Sequence, residues 1–206
     1  MIPRIDLMSS VDPNSLWRTY YDFAINTPTT AASGAKLNDP ENFFKAVDRI
    51  GKEGVCNIVR PGLFDDERQF LITKINVVLN AQFRAIYDLI LYKSYFSIYI
   101  DTSEVDSFFG FQAPAGGGLF APGLAFDTLN NTPILGAMNN GIPDSSGAYY
   151  LPKPLLTTPQ NSLGIKQRYI SAAQTQLTSV NATLANENDV TFGVLVGGFL
   201  GRHLGE

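Results

Sequence analysis

The sequence predicts an all-β sandwich with two short N-terminal helices and a long Gly/Pro-rich loop. Residues 69–79 and 94–101 alternate their side chains along runs rich in β-branched and aromatic residues, which is typical of strands. Residues 190–200, VTFGVLVGGFL, are apolar on both faces, as in a strand at the centre of a sheet, with glycines that permit bulges. We assign residues 61–206 to one β-sandwich domain and residues 1–60 to an N-terminal arm.

The composition favours a protein that contacts other proteins. Hydrophobic residues make up 45% of the chain and charged residues only 17%, against about 25% charged in a typical soluble domain. A surface with so few charges is typical of oligomer contacts. The net charge is −4 and the chain has no basic block, so we expect no direct contact with nucleic acid.

The chain lacks the residue types that most catalytic and metal centres need. Cys56 is its single cysteine and His203 its single histidine, so one copy can form neither an internal disulfide framework nor a site with several histidines. We predict no catalytic residue, no metal site and no cofactor, and therefore no enzyme. MIPRIDLMSS has no apolar h-region and no run of 18 apolar residues occurs, so we expect neither a signal peptide nor a membrane span.

Two acidic groups leave alternatives open. Residues 65–67 are three adjacent carboxylates, which we interpret as a solvated turn rather than a cation site. Asp101, Glu104 and Asp106 follow the strand over residues 94–101 and are interpreted as a polar strand end. A Ca²⁺ site and a glycoside-hydrolase pair of carboxylates are the alternatives, although the spacing lacks the glycine and final glutamate of an EF-hand.

The N-terminal arm is predicted to contain two amphipathic helices. The first begins after Asp12-Pro13 and the second after Asp39-Pro40, and each has apolar residues at helical spacing. The apolar positions are Leu16, Tyr20 and Phe23 in the first helix and Phe43, Val47 and Ile50 in the second. The arm either caps the core or docks on a neighbouring copy. For docking, the candidate interface residues are Trp17, Tyr20 and Phe23.

Residues 112–147 form the predicted loop, in which glycines and prolines are expected to break any regular element. The segment is too apolar for a free linker, so we expect it to fold over the sheet or to pack on a neighbouring subunit. Its candidate interface residues are Leu119, Phe120, Leu124 and Phe126. The triple glycine at residues 116–118 lacks the context of a phosphate-binding loop.

Three further segments are assigned from local pattern. Residues 81–92 fit a helix or a strand, and we favour a short helix or turn. Residues 149–160 carry three prolines and are expected at a sheet edge. Residues 162–170 alternate as a strand, with Lys166 and Arg168 on one face and four residues on the other: Leu163, Ile165, Gln167 and Tyr169.

The order of these strands resembles that of a known group of proteins. QFLITKINVVL, then YYLPKPLLTTPQNSLGIKQRY, then DVTFGVLVGGFLGR occur in an order similar to that of the single jelly-roll capsid proteins of tailless icosahedral viruses, especially internal-membrane bacteriophages. In these proteins a proline-bearing segment leads to an alternating strand, and the closing apolar strand ends in Gly-x-x-Gly-Arg. The resemblance covers residues 69–101 and 149–202.

The resemblance implies a jelly-roll β-sandwich of eight strands that assembles by symmetry into the capsomers of an icosahedral shell. It implies a virion structural protein made in the host cytoplasm. Its partners would be further copies, other capsid proteins, and an internal membrane or the proteins of that membrane. The alternative is a carbohydrate- or receptor-binding β-sandwich module, for which four tyrosines could stack on sugar rings: Tyr95, Tyr99, Tyr149 and Tyr150.

Overall fold

The structure is a computed structural model of the 206-residue chain. It describes residues 16–26, 41–44, 56–58, 60–64, 68–81, 84–115, 124–127, 132–135, 138–139, 147–178 and 190–201.

Strands dominate the described residues. In chain order they are β1 Leu16–Asn26, β2 Glu41–Phe43, β3 Gln69–Ala81, β4 Ser94–Ile100, β5 Ser103–Phe109, β6 Leu124–Asp127, β7 Thr132–Leu135, β8 Met138–Asn139, β9 Tyr149–Thr157, β10 Leu163–Tyr169 and β11 Val190–Gly201. A helical turn α1, Arg84–Tyr87, continues into a π-helical turn, Asp88–Tyr92. Short 3₁₀ turns lie at Gly110–Gln112 and Ser171–Ala173.

The strands form two main antiparallel sheets. In the first, here called the β1 sheet, the order is β1-β11-β3, and β9 and β8 share the second edge of β3. In the second, the β2 sheet, the order is β2-β10-β4-β5. A separate hairpin pairs β6 with β7. The predicted all-β sandwich is confirmed.

Aromatic side chains join the two sheets. Phe43 of β2 and Phe192 of β11 meet edge to face, with ring centroids 5.5 Å apart. Phe108 of β5 stacks on Tyr149 of β9 at 4.8 Å. Both contacts belong to or border the single hydrophobic core described between the sheets. Because offset and edge-to-face aromatic pairs stabilise beyond their buried area, these rings fix how the sheets face each other.

The predicted first helix is wrong. Leu16–Asn26 is a strand that pairs with β11 in register over its whole length. Tyr20 and Asp22 point into the core while Trp17 and Phe23 point outward, which is the two-residue period of a strand. The helical spacing of the apolar residues in this segment was coincidental. Its aromatic content and its pairing with β11 determine the outcome.

The prediction of a second helix is wrong for the residues of that segment that the structure describes. Glu41–Phe43 is a short strand that pairs with β10. Phe44 follows with φ at 63°, outside the helical region. The remaining residues of that prediction, including Val47 and Ile50, lie outside the described residues. Strands from residues 1–60 thus pair with strands from residues 61–206 in both sheets.

The expectation that residues 112–147 would contain no regular element is also wrong. This segment contributes β6, β7 and β8. Pro133 lies within β7, which is compatible with a strand because an edge or hairpin strand tolerates a residue without an N–H donor. The 65–67 acidic run, the 116–118 glycines and His203 lie outside the described residues.

The remaining strand predictions are confirmed. Strands β3, β4, β10 and β11 occupy the predicted segments, and β11 lies between β1 and β3. The register between β11 and β3 shifts at Gly197 and Gly198, as the glycines predicted. Strand β9 pairs with β3 alone among the described strands, so it is the expected edge strand. Residues 84–92 are helical, as favoured.

Candidate interaction surfaces

The outer face of the β1 sheet carries a row of four apolar side chains. The strand registers place Trp17 beside Phe199, Phe199 beside Leu71, and Leu71 beside Leu156. Trp17 and Leu156, at the two ends, are 47% and 48% exposed. Leu71 is only 6% exposed. The residues before and after it in β3 belong to the core cluster, whereas Leu71 does not. Because side chains alternate along a strand, Leu71 lies on the outer face. We call these four residues the outer apolar row.

Glycines in β11 allow the aromatic side chains of β1 to lie close to the sheet. A Cβ atom at Gly193 would lie 2.3 Å from the Phe23 ring, and one at Gly197 would lie 3.0 Å from Trp17 Cζ2. Trp17 meets Phe199 edge to face at 5.0 Å, and the Lys74 ammonium lies 5.3 Å from the Trp17 ring centroid. A cation over an indole face is attracted by the ring, so Trp17 is held in place from two sides.

The candidate interface residues of the first strand divide between the two faces. Tyr20 is 5% exposed and packs on Phe64 and Phe70 in the core, so its assignment to an interface is wrong. Trp17 is accessible in the outer apolar row, and Phe23 is half-buried beside Tyr21. Leu119 and Phe120 lie outside the described residues. Leu124 and Phe126 lie in β6, where the structure describes only the backbone.

Sequence reasoning missed a second exposed aromatic group. Tyr92 stacks on Phe111 at 5.8 Å, and Phe111 stacks on Phe109 at 5.7 Å, at one end of the β2 sheet. All three are exposed. The rings come from the π-helical turn, β5 and the 3₁₀ turn that follows it. The pairing of β4 with β5 brings these segments together, and no local sequence pattern indicates that pairing.

The four tyrosines of the carbohydrate hypothesis do not form one platform. Tyr95 and Tyr99 lie on β4 of the β2 sheet. Tyr149 lies between the sheets against Phe108, whereas Tyr150 is exposed on β9 of the β1 sheet. A sugar ring therefore cannot contact all four at once.

The three carboxylates near β5 are separately engaged. Asp101 Oδ1 accepts hydrogen bonds from Ser162 N at 2.8 Å and Ser162 Oγ at 3.2 Å. The Tyr99 hydroxyl donates to Glu104 at 3.0 Å, and the Tyr149 hydroxyl donates to Asp106 at 3.1 Å. Across the described ranges, no group of three His, Cys, Asp or Glu side chains could hold a metal ion.

Two of these contacts change the acidity of a phenol. The hydrogen bond to Glu104, followed by burial and by the negative charge of that carboxylate, raises the pKa of Tyr99. Burial, followed by the charge and the hydrogen bond of Asp106, raises the pKa of Tyr149. Burial favours the neutral phenol because it disfavours the charged phenolate, and the hydrogen bond does so because only the neutral phenol can donate to the carboxylate.

A polar groove lies on the outer face of the β2 sheet, with a cavity volume of about 360 Å³. It runs along β10, where Lys166 pairs with Asn42 on one side and Ser97 on the other. We call this surface the polar groove. The residues that line it are Asn42, Tyr99, Asp101, Thr102, Gly164, Ile165, Lys166 and Arg168. The alternation of β10 predicted the outward direction of Lys166 and Arg168. Which residues lie opposite them depends on the pairing of strands that are distant in the chain.

No helix in the part of the chain that the structure describes has the length and hydropathy to cross a membrane. Comparison with known protein families, curated proteins and solved structures finds no match to the chain.

Proposed function

We propose that the protein is a virion structural protein, a jelly-roll capsid subunit that assembles with further copies of itself into an icosahedral shell. The observation that carries the proposal is the nesting of strand pairs. Leaving out β6, β7 and β8, the first strand pairs with the eighth, the second with the seventh, the third with the sixth and the fourth with the fifth.

Such nesting has a simple geometrical meaning. A chain folded once into a long antiparallel hairpin has those four pairs. Rolling that hairpin brings the eighth strand beside the third and the seventh beside the fourth, and both are neighbours in the two sheets. This arrangement matches the eight strands in two sheets of the jelly roll found in many viral capsid and lectin domains. It supports the jelly-roll part of the proposal, and β6–β8 are then an insertion between the fifth and sixth strands.

The outer apolar row supports contact between copies. Trp17 and Leu156 are large apolar side chains about half exposed at the ends of the row, and aromatic residues are enriched where proteins associate. The chain as a whole has few charges. A second copy is the occupant we propose, because symmetric association of one chain with itself is the commonest route to a closed assembly.

The sheet edges favour contact through a face rather than through strand addition. Asn57 covers part of the β1 edge, since its side-chain oxygen accepts from Tyr21 N at 2.7 Å and its amide donates to Thr19 O at 3.1 Å. Strand β5 has a register shift opposite β4 and carries Glu104 and Asp106. Bulges and charges on edge strands are the usual protection against edge-to-edge pairing.

Sedimentation velocity and negative-stain electron microscopy over a range of protein concentrations test the proposal. We expect rings or closed particles that grow with concentration. A strict monomer at every concentration, with no particles by microscopy, would contradict self-assembly of the chain.

A pair of variants locates the contact. Leu156→Glu places a charge at the end of the outer apolar row and should suppress assembly, because a buried unpaired carboxylate is costly. Val105→Glu is the matched control, since Val105 is 43% exposed on the edge strand β5 of the other sheet. Equal assembly by both variants and by the unmodified chain would exclude the outer apolar row as the interface.

A further inference from the structure

One buried side chain of the β2 sheet is polar but has no described hydrogen-bond partner. Gln167 of β10 is 0% exposed, and it shares the inward face of the strand with Ile165 and Tyr169, which belong to the hydrophobic core. Neither its amide nitrogen Nε2 nor its amide oxygen Oε1 makes a hydrogen bond to any residue that the structure describes. Turning the amide over would not help, because both ends lack a partner.

The free-energy cost of an unpaired amide indicates what lies beside it. Burying an amide without hydrogen bonds costs more than immobilising a water molecule that supplies them. Buried polar groups in native proteins are accordingly almost always paired, either with protein groups or with ordered water. Bound water is therefore a more stable arrangement around Gln167 than an amide left unpaired.

Two further buried polar groups adjoin Gln167. Tyr169 follows two residues later on the same face of β10, and its hydroxyl oxygen is buried. Ser94 of β4 lies opposite Tyr169 in the strand register and is 0% exposed, so it is a diagonal neighbour of Gln167. Diagonal neighbours in an antiparallel sheet are about 7–8 Å apart, a separation that a long side chain and a water molecule together can span. Ser94 Oγ donates to the Ile90 carbonyl at 2.6 Å, which leaves the hydroxyl oxygen able to accept.

From this juxtaposition we propose that ordered water is bound in the core against the Gln167 amide, as a permanent part of the fold. Gln167 Nε2 donates to a water oxygen and Gln167 Oε1 accepts from a water hydrogen, so both ends of the amide are paired. Ser94 Oγ and the Tyr169 hydroxyl oxygen accept the remaining water hydrogens. The water thereby connects β10 with β4 and, through Ser94, with the π-helical turn that contains Ile90.

Water fits the chemistry of this position better than an ion does. Gln167, Ser94 and Tyr169 supply uncharged donors and acceptors, so they would not neutralise a buried ion. The described residues offer no group of three His, Cys, Asp or Glu side chains that could hold a metal ion. Buried water typically makes about three hydrogen bonds to polar groups that otherwise lack partners, and this end of the core provides them. The inference does not depend on the shell-forming role, because it concerns the interior of a single copy.

A crystal structure of the unmodified full chain, at a resolution that shows ordered water, tests the proposal without a variant. We expect electron density for water within hydrogen-bond distance of the Gln167 amide. An amide that contacts only apolar atoms would overturn the proposal. A direct hydrogen bond from the amide to another protein group, with no water beside it, would overturn it as well.

Oxygen-17 magnetic relaxation dispersion, which counts waters of long residence time, tests the same site in solution. Gln167→Leu removes both ends of the amide, so we expect this variant to lose at least one long-lived water relative to the unmodified chain. Gln160→Leu is the matched control, since Gln160 is an exposed glutamine and its hydration water exchanges rapidly; thermal melts show that each variant is folded. An unchanged count in Gln167→Leu, or an equal loss in both variants, would contradict bound water at Gln167. If Gln167→Leu does not fold, the crystal structure of the unmodified chain decides.

Discussion

At the scale of single residues, one carboxylate connects the two sheets. Asp22 of β1 is 0% exposed, and its Oδ2 accepts from Phe44 N at 2.6 Å just after β2. The Phe44 carbonyl in turn accepts from Gly62 N, and the Gly62 carbonyl accepts from Leu163 N at 2.9 Å. Asp22 therefore anchors a chain of hydrogen bonds that runs from β1 to the start of β10.

We predict that Asp22→Ala lowers the free energy of unfolding by about 2–3 kcal/mol, because it leaves the buried Phe44 N–H without its acceptor. Urea denaturation followed by circular dichroism measures the change. Asp22→Asn keeps an oxygen at the same position and should lose less. A loss below about 0.5 kcal/mol for the alanine variant would show that Asp22 does not hold the Phe44 turn.

Tyr149 gives the fold a predictable response to alkaline pH. Burial and Asp106 raise the pKa of Tyr149 above its ordinary value of 10.0. The stability contributed by the neutral phenol is complete below pH 10. It is lost as the pH rises from 10 through the higher pKa of the folded state, since the unfolded chain ionises first.

We predict that Tyr149→Phe is about 1 kcal/mol less stable than the unmodified chain at pH 8, and that this difference shrinks above pH 10. Urea midpoints measured between pH 8 and pH 11 give both values, and Tyr150→Phe, an exposed neighbour on the same strand, is the control. A difference that does not change with pH would show that the contact of Tyr149 with Asp106 does not govern its ionisation. The pKa of Tyr99 is also raised, so Tyr99 contributes to the pH dependence in the same direction in the unmodified chain and in the Tyr149→Phe variant.

At the scale of elements, local pattern located most strands but failed at the N-terminus. Strands β3, β4 and β10 were predictable from their alternation, and β11 from a short apolar run that contains β-branched residues and glycines. The apolar residues of β1 fit a helix as well as a strand, and the pairing with β11 decides between them. Gln167 was placed on the correct face by alternation. That pattern did not indicate that its amide makes no hydrogen bond to any described residue.

An N-terminal deletion tests whether β1 is part of the core. Removing residues 1–38 deletes β1, which pairs with β11 from Val190 to Leu200 and contributes Tyr20 to the core. We predict that this deletion gives an unfolded or aggregated product, because β11 would expose an apolar edge. Circular dichroism and gel filtration check it, with a deletion of residues 1–10, which keeps β1, as the control. A folded, monomeric product of the longer deletion would show that β1 is dispensable.

At the scale of the whole molecule, the two sheets present outer faces of different chemistry. The β1 sheet carries the outer apolar row, which we propose contacts another copy. The β2 sheet carries the polar groove, in which cationic, acidic and aromatic side chains lie together. The sequence predicted an apolar, oligomer-forming surface from the low charge. Neither site could be located in advance, because each combines residues from strands distant in the chain.

The sole tryptophan provides a direct test of the proposed assembly. Trp17 is the only tryptophan in the chain and is 47% exposed within the outer apolar row. If copies associate through that row, we predict that its fluorescence shifts to shorter wavelength and is less accessible to iodide as the protein concentration rises, because the indole leaves water. Leu156→Glu should keep the emission of the dilute protein at every concentration. Assembly seen by sedimentation without a change in Trp17 emission would place the contact between copies on another surface.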